Sequence, residues 1–538
     1  MSDYEVDCDI AVVGYGPVGE YLAITLGRLG YRVEVFERWL EPYDLPRAVV
    51  FDDEIARLFA SYGFLDEVLA ITDPVPDFYE WRNRNGDVLL KIDWSQRTQQ
   101  GYPSANFYTQ PDLQRVLDKH ARAEDTVRIN MGTEVRDIVD RGDHVSFAAV
   151  AAKASTSRDD SEPGWAGRNF TARYLIGADG ANSATRAATA TVFHDLNRVP
   201  FDWLILDVKP FDDAREWSPM NWQLCDPARP TTIVSGGPGR RRWEIMRLPG
   251  ETLEELNTEE AAWRLLEPWG ITHKTAELER HAVYRFMASY AEDWRKGHIL
   301  LTGDAAHLMP PFAGQGLCNG LRDVSNLVWK LNLVMQGKAP DALLETYQEE
   351  RRDHVCQWID FSAALGEIIC VLDEDEARVR DARMIAGEGD PARVMPSAPP
   401  TRFKSGLFIQ QQQVAGTLSI HGEVGYRGKQ GRFSEILGRT FAVIARSPAH
   451  LGSLGHSQRH TLSTLESVVL AISDTESEST FRDVNGEYAT WLDSLGAAAI
   501  IVRPDFYVYG YVTEASELPS LVDGLADELR LNRQYLVQ

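Results

Sequence analysis

The sequence predicts an α/β protein in three parts: a doubly wound α/β domain, an inserted β-sheet domain that interrupts it, and a smaller C-terminal α/β domain. Three observations predict this. Residues 8–14 (CDIAVVG) and 31–37 (YRVEVFE) are short apolar runs with β-branched residues, flanking Val18, Leu22, Leu26 and Leu29 at helical spacing, which is a βαβ unit. Residues 190–290 then alternate strand-like segments such as WLILDV and RWEIMRL with proline and glycine punctuation. Finally, HILLTGDAAH from residue 298 returns to a strand and turn, and Leu317, Leu321, Val324, Leu327, Leu331 and Val334 follow at helical spacing.

Taken in order, residues 1–190 form the first part of the α/β domain, with a second α/β stretch from about 106 in which QPDLQRVLDKHARA reads as a helix and ARYLIGADG as a strand ending in a turn. Residues 191–290 form the inserted sheet, and 291–371 complete the first domain with helices. Residues 372–404, charged and then proline-rich, are the expected linker. Residues 405–538 carry the strands FAVIA, AAAIIVR and FYVYGYV before the helical SELPSLVDGLADELRL.

With 538 residues the chain has room for a large core and a bulky cofactor. Its 55 basic and 80 acidic side chains give a formal net charge of −25, which repels nucleic acid and anionic membrane surfaces, so neither is an expected partner. The start lacks the basic flank and apolar core of a signal peptide, and the expected location is the cytoplasm. The five cysteines are scattered without CxxC or Cys/His spacing, so no metal site and no disulfide framework is expected.

Gly14, Gly16 and Gly19, with Pro17 and Val18 between them, match GxGxxG between a strand and a helix. Missing side chains there allow a tight turn and let a helix N-terminus approach a pyrophosphate, and Glu37, followed by Arg38, ends the next strand where a ribose hydroxyl pair is bound. The loop alone leaves NAD and FAD open. Two later segments bear on the choice: ARYLIGADGANSATR with Asp179 and Gly180, and ILLTGD with Gly303 and Asp304. Gly314, Gly316 and Leu317 then lie at the start of the next helix, whose N-terminus can stabilise negative charge.

These three motifs in order resemble the para-hydroxybenzoate hydroxylase superfamily of class A flavin monooxygenases, and the chain looks like its 3-(3-hydroxyphenyl)propionate hydroxylases over residues 8–365. Further matching stretches are PRAVVFDDE, CDPARP, RRWEIMRLPGET, MPPFAGQGLCNGLRD and YQEERRDH. The resemblance implies a glutathione-reductase-like Rossmann variant that binds FAD, and a thioredoxin-like C-terminal domain, here without cysteines after Cys370 and so without thiol chemistry. It implies that NADH or NADPH binds transiently and reduces FAD, that O2 forms a flavin C4a-hydroperoxide, and that a phenol is hydroxylated ortho or para to its hydroxyl. The expected substrate is 3-(3-hydroxyphenyl)propionate or a related phenol, and a homodimer is one assembly state to test. Residue by residue, Arg47 matches an arginine on the FAD phosphates, Gln110 a glutamine beside the flavin, and Pro310 and Pro311 the proline loop bordering substrate and flavin. Val49, Val50 and Phe51 depart from the usual small and aliphatic centre of PRAIGIDDE, which leaves the ring pocket open.

Enriching a phenol for attack requires a base or strong hydrogen-bond acceptor, and Asp52, Asp53, His307 and Tyr284 are the candidates; each acid also reads as a helix cap and His307 as a structural histidine. A substrate carboxylate would take an arginine, Arg242 or Arg247 by strand context, although such residues are more often solvated strand ends. The WxWxIP of flavin halogenases and the FxGxxxHxxxW of Baeyer–Villiger enzymes are absent. A tailoring hydroxylase acting on larger polycyclic or polyketide phenols and a non-oxygenating FAD-binding electron-relay protein remain as alternatives.

Overall fold

The computed structural model describes residues 5–42, 47–152, 167–196, 201–212, 219–399 and 402–532; Pro46 of PRAVVFDDE and residues 400–401 of the expected linker lie outside the described residues. The first domain is built on a sheet ordered Arg295–Lys296, Ile299–Leu301, Arg168–Gly177, Cys8–Val13, Val33–Glu37, Val127–Met131. Neighbours from Ile299–Leu301 to Val127–Met131 are parallel. Parallel strands are covered on both faces, and the unbroken apolar run IAVV is fully buried for that reason. Thr133–Asp140 and Val145–Ala151 add an antiparallel meander to one edge of Arg168–Gly177.

The helices that shape the site are α1 (Pro17–Arg28), α2 (Asp53–Ser61), α3 (Gln110–Arg122), α4 (Gly316–Met335) and α5 (Glu345–Ile369). Proline within the first turn of α1 and α3 fits a position whose N–H has no intrahelical partner. Helix α1 packs between α3 and α4. Helix α4 is buried nearly all round, and its enclosed face carries Arg322, Asp323, Asn326 and Lys330, which the apolar periodicity alone does not reveal.

The inserted sheet is larger than its expected span. Its order is Ala276–Arg285, Asp202–Pro210, Arg241–Met246, Thr231–Ser235, Asn221–Leu224, Phe78–Arg82, Val88–Asp93. The last two strands come from the segment assigned to the first domain, because Phe78–Arg82 pairs in parallel with Asn221–Leu224. Alternation sorts its side chains: Trp203, Ile205, Met246, Tyr79 and Trp81 cluster on one face, and Leu204, Leu206, Trp243 and Ile245 on the other. The expected linker is also corrected, since Glu374–Ala386 is a helix capped by Asp373, which accepts from the N–H groups of Asp375 and Glu376. Arg380 of that helix donates to the Cys225 carbonyl (2.6 Å), so the segment braces the inserted sheet.

The C-terminal part holds a mixed sheet ordered Lys429–Arg432, Glu423–Tyr426, Thr480–Asp483, Val468–Ile472, Ala442–Ala445, Ala499–Val502, Val508–Val512. The five cysteines are free thiols. No single helix among the described residues is long and apolar enough to cross a membrane.

Candidate active site

Two of the loop glycines serve close packing and the third opens space. Gly14 has φ +101, and a Cβ there would lie 2.3 Å from the Ala178 carbonyl oxygen. A Cβ at Gly19 would lie 2.1 Å from the Gly14 carbonyl oxygen. Both contacts require glycine. At Gly16, directly before α1, nothing lies within 4 Å of the position a Cβ would take, so the helix N-terminus faces open space. Pro17 opens α1, and Val18 packs against Gly303 and Gly320. Glu37 accepts the N–H groups of Tyr15 (2.8 Å) and Trp39 (3.0 Å), which fixes its carboxylate and leaves a lone pair on each oxygen. Arg38 is exposed and lies over the Trp39 ring.

The two later motifs form the adjoining wall. Asp179 does not face the cleft as a free ligand: it accepts from Ser183 Oγ (2.5 Å), Thr185 N (3.0 Å) and Thr185 Oγ1 (3.1 Å), holding the turn in which Gly180 sits at φ +76 with open space beside it. Arg186 ties this turn to the next motif by donating to the carbonyls of Ala181 (2.6 Å) and Ala305 (2.9 Å). Asp304 is different. Its carboxylate reaches solvent and makes no hydrogen bond among the described residues. Enclosure by protein raises it above the usual carboxylate range, against the pull of His307, Arg47 and Arg186.

Opposite lies the segment after the undescribed residues. Gln110 Oε1 accepts the Ala48 N–H (2.9 Å) while its Nε2 donates to Gln114 (3.1 Å), so Gln110 positions the segment that leads into the strand Val50–Phe51. Arg47 is exposed and its charge acts on Asp304. Gly314, at φ +65, abuts Val50, and Gly316 at the start of α4, followed by half-buried Leu317, again has nothing within 4 Å of a Cβ. Open glycines at 16, 180 and 316, an unengaged acid and an exposed arginine thus gather around two helix N-termini, joined by the contacts of Val18 with Gly303, Arg186 with Ala305 and Gly314 with Val50. These features fit a large phosphate- and hydroxyl-bearing cofactor such as FAD.

The expected catalytic residues fare less uniformly. His307 Nε2 is 2.7 Å from Asp323 Oδ2, its ring stacks on Trp294, and it is 1% exposed, so it is a structural histidine rather than a base. Asp323 also accepts from Gly303 N (3.1 Å) and Arg351 Nε (2.9 Å); burial would raise its carboxyl, but His307 and Arg351 hold it low. Asp52 caps α2 by accepting from Ile55 N (3.2 Å) and pairs with Arg322, which removes it as a base. Asp53 accepts from Thr98 Oγ1 (2.5 Å), and burial followed by repulsion from Asp52 pushes it up to about 6. Tyr284 packs in the cluster that holds Trp203, Phe286 and Phe312, beneath the Arg280 guanidinium.

The proline loop reaches that same cluster. Pro310 is buried with its carbonyl accepting from Ser362 Oγ (2.6 Å), and Pro311 opens a short turn, Pro311–Ala313. Phe312 of the turn packs edge-on against Trp203 and Phe286. Neither candidate carboxylate anchor is available. Arg242 forms a buried fork with Asp207 (2.7 and 3.1 Å) and donates its remaining Nη1 to the Arg47 carbonyl (2.6 Å). Arg247 pairs with Asp202 (2.9 Å) and donates to the Glu251 carbonyl (2.7 Å). The sequence reading missed Arg322 and the aromatic fill from Tyr79, Trp81 and Trp203; the signal for Arg322 was a charged LRD inside an otherwise apolar helix.

Comparison with known proteins places this geometry. Residues 7–362 match the family model described as FAD binding domain, and residues 416–528 match the HcaD C-terminal domain. The chain is 34% identical to a probable NADH-specific resorcinol 4-hydroxylase of Rhodococcus jostii (strain RHA1), covering 97% of this chain and 94% of that one. It is 30% identical to a 3-(3-hydroxy-phenyl)propionate/3-hydroxycinnamic acid hydroxylase of Paraburkholderia xenovorans (strain LB400), over 98% and 91% of the two chains. Among solved structures, the flavin-dependent monooxygenase PieE, in complex with FAD and substrate, superposes with a TM-score of 0.78 at 19% identity, covering 98% of this chain and all of that one. Aklavinone-11 hydroxylase with FAD and aklavinone gives 0.75 at 21% identity, over 98% and 100% of the two chains.

Proposed function

The chain belongs to the FAD-binding aromatic-ring hydroxylases, and from that premise we propose that its substrate is a small uncharged phenol, hydroxylated ortho or para to its hydroxyl with NADH and O2. The observation that carries the substrate reading is the buried pairing of Arg242 with Asp207 on the sheet face that holds the aromatic cluster. A carboxylate brought to that sheet face would lose its water without gaining the Arg242 charge, which Asp207 already holds. NADH as reductant rests on the similarity to the resorcinol hydroxylase.

FAD, when bound, takes electrons from the reductant and activates O2. The protein holds it. Glu37 and Asp304 are assigned to its ribose and ribityl hydroxyls, Arg47 and the N-terminus of α1 to its phosphates, and the N-terminus of α4 to the ring edge where negative charge collects. Of the proposed bases, Asp52 and His307 are already paired, so Tyr284, with Pro310 and Pro311, is assigned to the substrate side. The parallel-plus-meander sheet supports a glutathione-reductase-like variant. In the C-terminal sheet, Ala442–Ala445 pairs parallel with one neighbour and antiparallel with the other, which supports a thioredoxin-like core.

A second reading, 3-(3-hydroxyphenyl)propionate, is favoured by the similarity to the hydroxylases named for it. The test is kcat/KM for resorcinol and for 3-(3-hydroxyphenyl)propionate with purified holoenzyme, with product mass confirming the gain of one oxygen. The neutral phenol is expected to be favoured by about tenfold or more, the effect of roughly one unpaired charge contact. Preference for the carboxylate-bearing phenol overturns the uncharged-substrate reading.

A further inference from the structure

The C-terminal domain reaches the cofactor cleft through a buried chain of hydrogen bonds. Tyr507 donates its hydroxyl to Glu54 Oε1 (3.1 Å) in α2. The other Glu54 oxygen accepts from Arg322 Nε (2.6 Å) in α4. Arg322 then spends its two remaining nitrogens on the entrance of its own helix: Nη1 donates to Gln315 Oε1 (2.8 Å) and Nη2 to Asp52. Gln315 Nε2 closes the loop by donating to Asp52 Oδ2 (3.1 Å). Gln315 is the N-cap residue of α4, directly before Gly316, whose open side faces the cleft.

Tyr507 is itself rigidly held. Its ring stacks on Phe403 at 4.2 Å, and Phe403 meets His354 of α5 edge-on. Nearby, Arg503 of the same domain pairs with Glu350 through both Nη atoms (2.8 and 2.7 Å), and Glu350 also accepts from Lys330 (2.8 Å) and Leu407 N (2.8 Å). Arg503, Glu350 and Lys330 are at most 1% exposed. Buried charges so closely paired tolerate little displacement, since separating them strands a charge without solvent.

We propose that the C-terminal domain is a working part of the cofactor site: Tyr507, acting through Glu54 and Arg322, is a positioning residue that fixes Gln315 and the N-terminal end of α4. This rests on the reading of the cleft as the FAD site. A helix N-terminus acts on a ligand only within its first turn, so a small shift of Gln315 and Gly316 changes both the grip on the flavin and the field at its ring. Arg322 suits the task because its planar fork sets three acceptors at once, which lysine cannot do.

The experiment uses full-length protein with Arg322→Lys and Tyr507→Phe. Arg446→Ala, which removes an exposed ion pair with Asp493 in the same domain, is the control. FAD dissociation constants of the apoproteins, melting temperatures, and the share of consumed NADH that appears as hydrogen peroxide are measured together. Arg322→Lys is expected to weaken FAD binding about tenfold and Tyr507→Phe about threefold, both with an increased peroxide share, while Arg446→Ala matches wild type. Variants that melt lower yet keep wild-type FAD affinity and peroxide share would show a purely structural seam and overturn the proposal. Wild-type protein that binds no FAD would overturn the cleft assignment and this inference together.

Discussion

The region proposed to hold FAD and the sheet proposed to face the substrate meet at residues 309–316 and are built in opposite ways. The cleft is made of absences: Gly16, Gly180 and Gly316 leave open space, and Asp304 keeps a carboxylate without a hydrogen-bond partner among the described residues. The sheet face is filled by aromatic rings, and its Arg242 is held in a buried fork by Asp207. A cofactor of fixed shape is gripped by backbone and helix ends, whereas a substrate is selected by side chains whose electrostatic demands are already met.

The sharpest way to break this contrast is within the glycine loop. Gly14→Ala forces a Cβ to within 2.3 Å of the Ala178 carbonyl at φ +101, so the β-strand and the Asp179 turn must separate. Loss of soluble protein, or FAD affinity reduced by about 100-fold or more, is expected. Gly16→Ala meets nothing within 4 Å and has an ordinary extended backbone, so the apoprotein is expected to melt as wild type while FAD affinity falls. Equal melting losses in the two variants would show that Gly16 serves packing and that the cleft is not made of open space.

On the sheet side, Asp207→Ala leaves the Arg242 guanidinium buried without its forked partner and is expected to cost about 3–5 kcal/mol in urea unfolding. Asp207→Asn keeps the shape and a hydrogen bond but releases the positive charge. Its kcat/KM ratio for 3-(3-hydroxyphenyl)propionate over resorcinol is expected to rise about tenfold. An unchanged ratio would mean that Arg242 lies beyond the reach of substrate, and the uncharged-substrate reading would lose its support.

The contrast also explains what the sequence makes legible. Glycine spacing, the acid at the end of the second strand and the Asp304 turn are short local patterns: Gly19 is demanded by the Gly14 carbonyl five residues before it, although the carbonyl that demands Gly14 belongs to Ala178, far along the chain. The substrate layer is not local. Phe78–Arg82 joins the sheet only through pairing with Asn221–Leu224, far along the chain, and nothing in FYEWR announces that partner. The role of Arg242 was hidden, since a charge on a strand looks the same whether it awaits a ligand or pairs with Asp207, and His307 stays open between a base and a structural histidine until Asp323 is seen beside it. Helix capping by Asp52 and Asp373 was local enough to anticipate in the first case and was obscured by composition in the second.

A smaller effect tests the free acid of the cleft. Asp304→Asn removes the charge assigned to the ribityl hydroxyls, so FAD affinity is expected to fall about tenfold. The Asp304 side chain is exposed and makes no hydrogen bond among the described residues, so its replacement removes no contact that folding depends on. The apoprotein of this variant is therefore expected to melt as wild type at pH 8. A melting loss would indicate that Asp304 is held by partners and is structural like Asp179.

The smallest expected effect concerns Asp53, which faces Thr98 rather than the cleft. Burial, then the neighbouring Asp52, push its carboxyl up to about 6 from an ordinary 3.8. The sign follows directly: the folded chain prefers the protonated acid, so the contribution to stability is present below pH 3.8 and is lost as pH rises through about 6. Asn at this position keeps an acceptor for Thr98 and cannot ionise. Asp53→Asn is therefore expected to exceed wild type by about 1–2 kcal/mol at pH 7.5, with most of that gain absent at pH 4.5. If the gain were instead the same at both pH values, Asp53 would not be the titrating group, and if kcat fell with stability unchanged, the residue would return to the list of bases from which its hydrogen bond to Thr98 now removes it.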